Sequence, residues 1–541
     1  MTRWLTRPWG LAVWAMMPIL LAYTLHWTLS GPDRLPTGFL QYDQMYYMAN
    51  ARALVNHGVH LLYGLPFSSS DATPAIYFQP HILLLGWVSL MTHADLGLIY
   101  DGFGVVMGII MFRVAIALYR TYGGSLTGLP GAMTCMSFLW GGGVIVLLGL
   151  GIQSIKGMAD GLDPFILDPF GGFWFLNLGR NAYFACECWY HALFFGAIVA
   201  LLRRQRLLCF LLTAALSASH PFYGIELILV LGAFALCERL WVGGDLCPIW
   251  LIAGFTVLMA LHLGYYLVFL NHASAEQAAL VRQWTEVGGW STFGSVPWRV
   301  IVAAYGPVMV LAAGQLERTK GWLREPGQSA SRLAVIWFAV AFALINHDLI
   351  IAPHQPLHFT RGYVWTPLAL IALPRIQALF DRLARLRFAA SRIALTTCAL
   401  ALILVDNGVW FVRQYSRMAR HQDHDAVLVE PVEVAVLARL ARDDMKGRLL
   451  ISDDAMLSYL AVTYDGTRAW RSHYANTPWS DERLAEIQLF VATGDEPPEW
   501  HTRPVVIVAD ARGGWAEGGA AERAGFRRID QFGGSLMMVR D

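Results

Sequence analysis

Residues 38–58 read GFLQYDQMYYMANARALVNHG, directly after the first apolar run of the chain. One acid, Asp43, precedes a cluster of tyrosines, and the stretch closes on Asn56-His57-Gly58. A helix over 43–57 spaces Asp43, Tyr47, Asn50, Leu54 and His57 at i, i+4, i+7, i+11 and i+14, with Asp43, Asn50 and His57 on one face. Gly58 suits the C-terminal cap of such a helix. An Asp at a helix start has a structural explanation, because it caps exposed N–H groups and complements the dipole. It also has a chemical one: a carboxylate held beside a membrane. The setting of the stretch bears on that choice.

The 541 residues are 56% hydrophobic and 15% charged, with a mean hydropathy of +0.45. Soluble domains are about one quarter charged. Apolar runs follow one another from Trp14 to Trp410, so the expected class is a polytopic α-helical membrane protein. Met1–Leu29 has a basic flank and no A-x-A site, and reads as a retained first span. The expected spans are 9–29, 77–93, 96–119, 127–150, 187–203, 206–218, 222–238, 248–270, 297–316, 333–352, 364–379 and 393–413, about 11–12 in all. The segment 77–93 fits a re-entrant or surface helix better than a crossing. Most of the seven cysteines lie in apolar runs and read as small core residues. Cys186 and Cys188 are too close for a disulfide and lack companion zinc ligands.

Three basic clusters set the orientation. They are Arg203/Arg204/Arg206, then Arg318/Lys320/Arg324/Arg332, then Arg375/Arg382/Arg385/Arg387/Arg392. Alternating crossings put all three on the cytoplasmic side. The first external loop (about 30–76), the loop 151–186, the turn at His220, the loop 346–362 and the tail then lie outside. The expected division is a membrane module, 1–413, and a soluble extracytoplasmic domain, 414–541. In the tail, RLLISDD, PVVIVAD and SLMMVRD read as strands and SDERLAEIQLFVATG as a helix, the order of a small α/β domain.

An acid just after the first span, followed by a juxtamembrane helix, resembles the GT-C superfamily of integral-membrane glycosyltransferases. Asp43, Tyr47, Ala51 and Arg52 match a D-E-x-x-Y-x-x-x-A-R pattern, with Gln44 in place of the second acid. SHPFYG (219–224), the external loop before a late span and YDGTRAWRSHYANTPWSDER (464–483) are similar to further features of that superfamily. The resemblance implies a GT-C-like fold and an enzyme of the cell envelope, a membrane glycosyltransferase of GT-C type. It further implies transfer of a sugar from a polyprenyl-phosphate donor to a glycan, lipid or protein acceptor. The expected place is the outer face of a bacterial inner membrane.

Chemistry assigns roles within that frame. An inverting transfer needs a base for the acceptor hydroxyl, and a positioned carboxylate supplies roughly 10²–10⁴-fold; Asp43 is the candidate. The departing phosphate needs cations or donors. Arg361 suits it as a bidentate partner, with His354 and His358 in the same loop, PHQPLHFTRGY. An Arg at a membrane edge also serves as a simple snorkelling anchor. Tyr47, Asn50, His57, Arg180, His220 and Glu226 are candidate substrate contacts. The competing readings are a solvated loop charge for Arg180, a polar helix-end turn for His220 and an acid facing the bundle interior for Glu226. Gln44 removes one hard ligand, so no cofactor is expected and a divalent metal is not favoured. No nucleotide fingerprint, HExxH or nucleic-acid stripe occurs. The alternative function is a multi-span transporter or lipid-linked sugar flippase, against which stands the lack of an internal repeat.

Overall fold

The computed structural model describes residues 7–29, 31, 33–56, 60–70, 73–156, 163–168, 177–243, 245–286, 297–316, 325–351, 355–420, 427–510, 515 and 519–541. Each expected span corresponds to helix. Among the described residues seven helices are long and apolar enough to cross a membrane, or eight if one bent pair is a single span. The other expected spans form Pro80–Thr92, Arg206–Ser219, Pro221–Cys237 and Ser329–Ile345, of 13, 14, 17 and 17 residues. These are shorter than the roughly twenty residues a perpendicular crossing needs. The protein is an integral membrane protein.

The chain divides into two compact units. The first comprises 1–24, 102–264 and 289–420; the second comprises 25–101, 265–288 and 421–541. The first external loop therefore groups with the tail, a division different from a cut at 413.

In the first unit the expected span 127–150 is broken. Gly128–Trp140 and Ile145–Ile155 meet at 66°. The break is Gly141-Gly142-Gly143, where neighbouring backbone and side chains come too close for a Cβ. A Cβ on Gly143 would sit 2.3 Å from the Ala303 carbonyl oxygen, and one on Gly142 would sit 2.8 Å from Asn177 Nδ2. The freed groups find partners, because Gly142 N–H donates to the Ile403 carbonyl and Val144 N–H to that of Ala303, both at 2.8 Å. Asp406 accepts from the N–H groups of Ile145 (3.2 Å) and Val146 (3.0 Å), capping the second half.

Arg332, expected as a loop charge, is fully buried. Its Nε and Nη2 both donate to Glu238 Oε1, at 2.8 and 2.5 Å. Nη1 donates to the Glu325 carbonyl at 2.5 Å. It lies in the first turn of Ser329–Ile345, so its charge is held by a specific acid and not by solvent.

In the second unit the tail forms a four-stranded sheet of β1 (Leu449–Ser452), β2 (Val505–Asp510), β3 (Arg527–Phe532) and β4 (Ser535–Arg540). The order is β1-β2-β4-β3, with β1 and β2 parallel and the other pairs antiparallel. Ile451, Ile507, Met538, Phe490, Trp500 and Trp515 share its core. The expected strands and the helix Ser480–Thr493 all form. Two-residue strands Leu35–Pro36 and Leu428–Val429 pair antiparallel and tie the first loop to the tail. Gly466 ends the helix Ala455–Asp465 at φ +70°, and a Cβ there would meet Asn56 Nδ2 at 2.5 Å. Glycine serves both needs at once.

Arg332→Ala strands a buried carboxylate and is expected to cost about 3–5 kcal/mol. Thermal unfolding in detergent checks this. The double variant Arg332→Met with Glu238→Leu should recover most of the loss, because neither charge is then left alone.

Candidate active site

Asp43 lies in the second unit, one residue before the helix Gln44–Asn56. The helix presents Met45, Met48, Ala49 and Leu54 to the interior, and Gln44 folds back so that its Oε1 accepts from Leu40 N–H at 2.7 Å. The Asp43 side chain is 44% exposed. Its Oδ2 accepts from Gln41 Nε2 at 3.2 Å, and Gln41 Oε1 accepts from Asp43 N–H at 2.7 Å. Across from it stands a residue the sequence reading named only as part of a motif: His473, whose Nε2 is 3.6 Å from Asp43 Oδ1.

The aromatic residues around this pair form a box. Within 4.9–5.7 Å the rings of Tyr42, Phe67, Tyr459, His473 and Tyr474 meet one another, and Tyr46 stacks on Phe67 at 5.7 Å. Tyr474 is exposed. Burial first, then the neighbouring Asp43 charge among smaller causes, pushes the Tyr42 phenol upward, so this ring stays neutral beside the carboxylate.

The loop carrying His473 is tightly held. Ser472 N–H donates to Thr477 Oγ1 (3.2 Å), and Thr477 N–H donates to the His473 carbonyl (2.9 Å). The helix Ala275–Glu286 adds Trp284 Nε1 to the Ala475 carbonyl (2.8 Å) and Gln283 Nε2 to that of Tyr474 (3.2 Å).

The other residues of the opening motif face inward. Tyr47 lies between His81 (5.8 Å) and Tyr100 (6.3 Å). Asn50 is buried and its amide donates to the Tyr46 carbonyl of its own helix at 2.9 Å. His57 lies outside the described residues. Arg52 faces the tail helix Ala455–Asp465, where its charge opposes the shift of Asp465. Burial nevertheless lifts the Asp465 carboxyl to about 6, and its Oδ2 is buried without a hydrogen bond among the described residues.

Arg361 belongs to the first unit and has its own setting. Its Nη1 donates to Glu187 Oε1 at 2.5 Å, with the arginine side chain 15% and the acid 3% exposed. The same Oε1 accepts from Tyr223 Oη at 2.8 Å. His191, one turn after Glu187, lies 2.8 Å from the Arg361 carbonyl through Nε2 and 2.8 Å from the Glu187 carbonyl through Nδ1. Glu187 and His191 thus contact Arg361 although the sequence did not single them out. Their signal is an E-x-x-x-H spacing within an apolar span, which puts both on one face.

His358 stacks on Phe222 at 4.6 Å and lies 5.7 Å from His220. His220 stacks on Tyr223 at 4.0 Å, and its Nδ1 accepts from Tyr223 N–H at 3.3 Å, capping Pro221–Cys237. His354 lies outside the described residues. Arg180 is not a solvated loop charge: it is fully buried, with Nε on Asn407 Oδ1 at 2.8 Å. Glu226 is fully buried, and neither carboxyl oxygen has a hydrogen-bond partner among the described residues. Also among the described residues, no group of three or more His, Cys, Asp or Glu is placed to hold a metal ion.

The fold can be compared with solved structures. ArnT from Cupriavidus metallidurans bound to undecaprenyl phosphate superposes at a TM-score of 0.50, covering 97% of this chain and 98% of its own at 12% identity. Its apo state gives 0.50 over 97% of each chain at 13% identity. The chain has the GT-C fold. The Archaeoglobus fulgidus oligosaccharyltransferase crystallised with Zn and sulfate is a weaker likeness: TM-score 0.47 and 11% identity over 96% of this chain and 72% of that one. No protein-family model matches the sequence, and no curated protein matches it. The likeness of this chain to ArnT is one of three-dimensional form.

The raised Asp465 gives a signed test of the second unit. Its folded value, about 6, exceeds the roughly 3.9 of an unfolded Asp. The folded state therefore binds more protons between those values, and stability contributed by this group falls as pH rises through that window. Asp465→Asn should flatten the dependence of the melting temperature between about pH 4 and pH 6 relative to wild type.

Proposed function

We propose that the protein transfers a sugar from a polyprenyl-phosphate donor to an acceptor hydroxyl at the outer face of the membrane, with inversion. The observation that carries this reading is Asp43: a half-exposed carboxylate at the head of a helix, in a chain whose fold is shared with a protein crystallised with undecaprenyl phosphate. Bacterial inner-membrane placement, with the site and the tail domain outside, belongs to the same proposal.

Asp43 takes the proton of the acceptor hydroxyl as the oxygen attacks the anomeric carbon from the side opposite the phosphate. The carbon–oxygen bond to phosphate breaks, its electron pair stays on the phosphate oxygen, and polyprenyl phosphate leaves. Charge grows on that phosphate, and donors aimed at it lower the barrier. Arg361 and His358 are its proposed partners, and His354 is proposed as a third from its place in the same stretch of sequence. Glu187 accepts from Arg361 Nη1 and is itself held by the Tyr223 hydroxyl, and a guanidinium suits phosphate oxygens. His220 stacks on that same Tyr223 and neighbours His358. It is the proposed additional contact to the donor. The aromatic box beside Asp43 offers faces for a sugar ring, with Tyr47 and Asn50 supporting the helix behind it. Arg180 is proposed to hold the bundle together, not to meet substrate.

Glu226 favours one competing reading. A buried acid without a partner in an apolar bundle is the kind of residue that couples ions to transport. Flux of a lipid-linked sugar across liposomes without product would support that alternative.

Asp43→Asn should leave insertion and melting unchanged and lower turnover of radiolabelled undecaprenyl-phosphate sugars by at least about 10²-fold. Wild-type turnover in that variant would remove Asp43 from the role.

A further inference from the structure

The contact between Asp43 and the tail supports a step beyond the assignment of the base, and it rests on that assignment. We propose that His473 is the positioning residue for Asp43: its Nε2–H donates to Oδ1 and fixes the carboxylate plane against which the acceptor hydroxyl docks.

The ring nitrogens carry the argument. Nδ1 accepts from the backbone N–H of Ala475 at 3.1 Å and of Asn476 at 3.3 Å. The Asn476 side-chain nitrogen lies about equally far from both ring nitrogens, 3.2 Å from Nδ1 and 3.1 Å from Nε2, so it singles out neither as its acceptor. A nitrogen that accepts two backbone N–H groups cannot also bear the proton, so the neutral ring carries it on Nε2. Nε2 is the nitrogen 3.6 Å from Asp43 Oδ1. That separation exceeds a formed hydrogen bond. A movement of about 0.5 Å closes it, and catalytic contacts commonly tighten in this way when substrate binds.

The ring has little freedom to turn elsewhere. It is 2% exposed and contacts Tyr42, Tyr46, Phe67, Tyr459 and Tyr474 at 5.0–6.1 Å between centroids. The phenols among them, with Tyr47 acting on Tyr459, Arg471 acting on Tyr42 and Asp43 itself, are the charged and titratable groups facing the site among the described residues. Gln41 holds Oδ2. A carboxylate has about four lone-pair sites, and contacts to Gln41 and His473 act on different oxygens, which orients the plane.

Two substitutions separate positioning from loop structure. In His473→Asn the side-chain oxygen can take the backbone N–H groups that Nδ1 accepts, as Asx turns do, but nothing reaches Asp43. In His473→Gln a side-chain N–H is restored near the place of Nε2. With the full chain in nanodiscs and a panel of undecaprenyl-phosphate-linked sugars, His473→Asn should keep the melting temperature and donor KM while kcat falls roughly 10–100-fold, part of what a positioned base supplies. Its acid limb of kcat should move to higher pH, because a donor to the charged form lowers a carboxyl pKa and its loss raises it. His473→Gln should stay within a few fold of wild type. Independently of turnover, ¹⁵N spectra of histidine-labelled protein should show His473 as the Nε2–H tautomer. The proposal is overturned by an Nδ1–H tautomer, by wild-type kcat and acid limb in His473→Asn, or by both variants losing activity and melting temperature together. Full activity in Asp43→Asn would instead defeat the assignment of the base, and the tautomer would still report on the contact.

Discussion

A charge buried in an apolar bundle must bring its partner with it. The cost of an uncompensated ion in such surroundings is several kcal/mol, and the chain is 56% hydrophobic. The first unit answers this constraint repeatedly: Arg332 with Glu238, Arg361 with Glu187 and Tyr223, and Asp406 with the N–H groups of a helix broken at three glycines. Each pairing joins segments far apart in sequence, so the polar groups specify which helices pack together. The same constraint ties Arg361 Nη1 to a buried acid.

The second unit works under the opposite condition. Asp43 is half exposed, and its surroundings are built from aromatic rings and a histidine contributed by the tail. The tail is therefore more than an appendage. Its loop 471–477 is fixed by its own hydrogen bonds and by the helix Ala275–Glu286, and it delivers an imidazole next to the carboxylate of the first loop.

Much of this was legible in the sequence, and the limits have physical causes. Apolar run length located the helices, because crossing a membrane demands it. Strand-like runs in the tail read correctly because alternation and β-branched residues mark a sheet. The break at Gly141–Gly143 did not read, since glycines in an apolar run signal close packing only once the neighbours, Ala303 and Asp406, are known. Arg332 looked like a loop charge because its partner lies 94 positions away. Glu187 and His191 were hidden inside an apolar helix. His473 stood in a quoted motif, yet its proximity to Asp43 is a tertiary fact that no local pattern carries. The GT-C-like fold was anticipated from Asp43, Tyr47, Ala51 and Arg52, a short pattern whose weight came from its position after the first span.

The bond between a sugar and a polyprenyl phosphate is the one the protein is proposed to break. The most direct test places the purified full chain in nanodiscs with undecaprenyl-phosphate-linked sugars and a crude envelope acceptor, and follows the lipid by mass spectrometry. The account predicts protein-dependent appearance of free undecaprenyl phosphate, with the sugar recovered on an acceptor in inverted configuration. Lipid-linked sugar that remains intact with every donor, while crossing the bilayer of protein-containing liposomes, would contradict it.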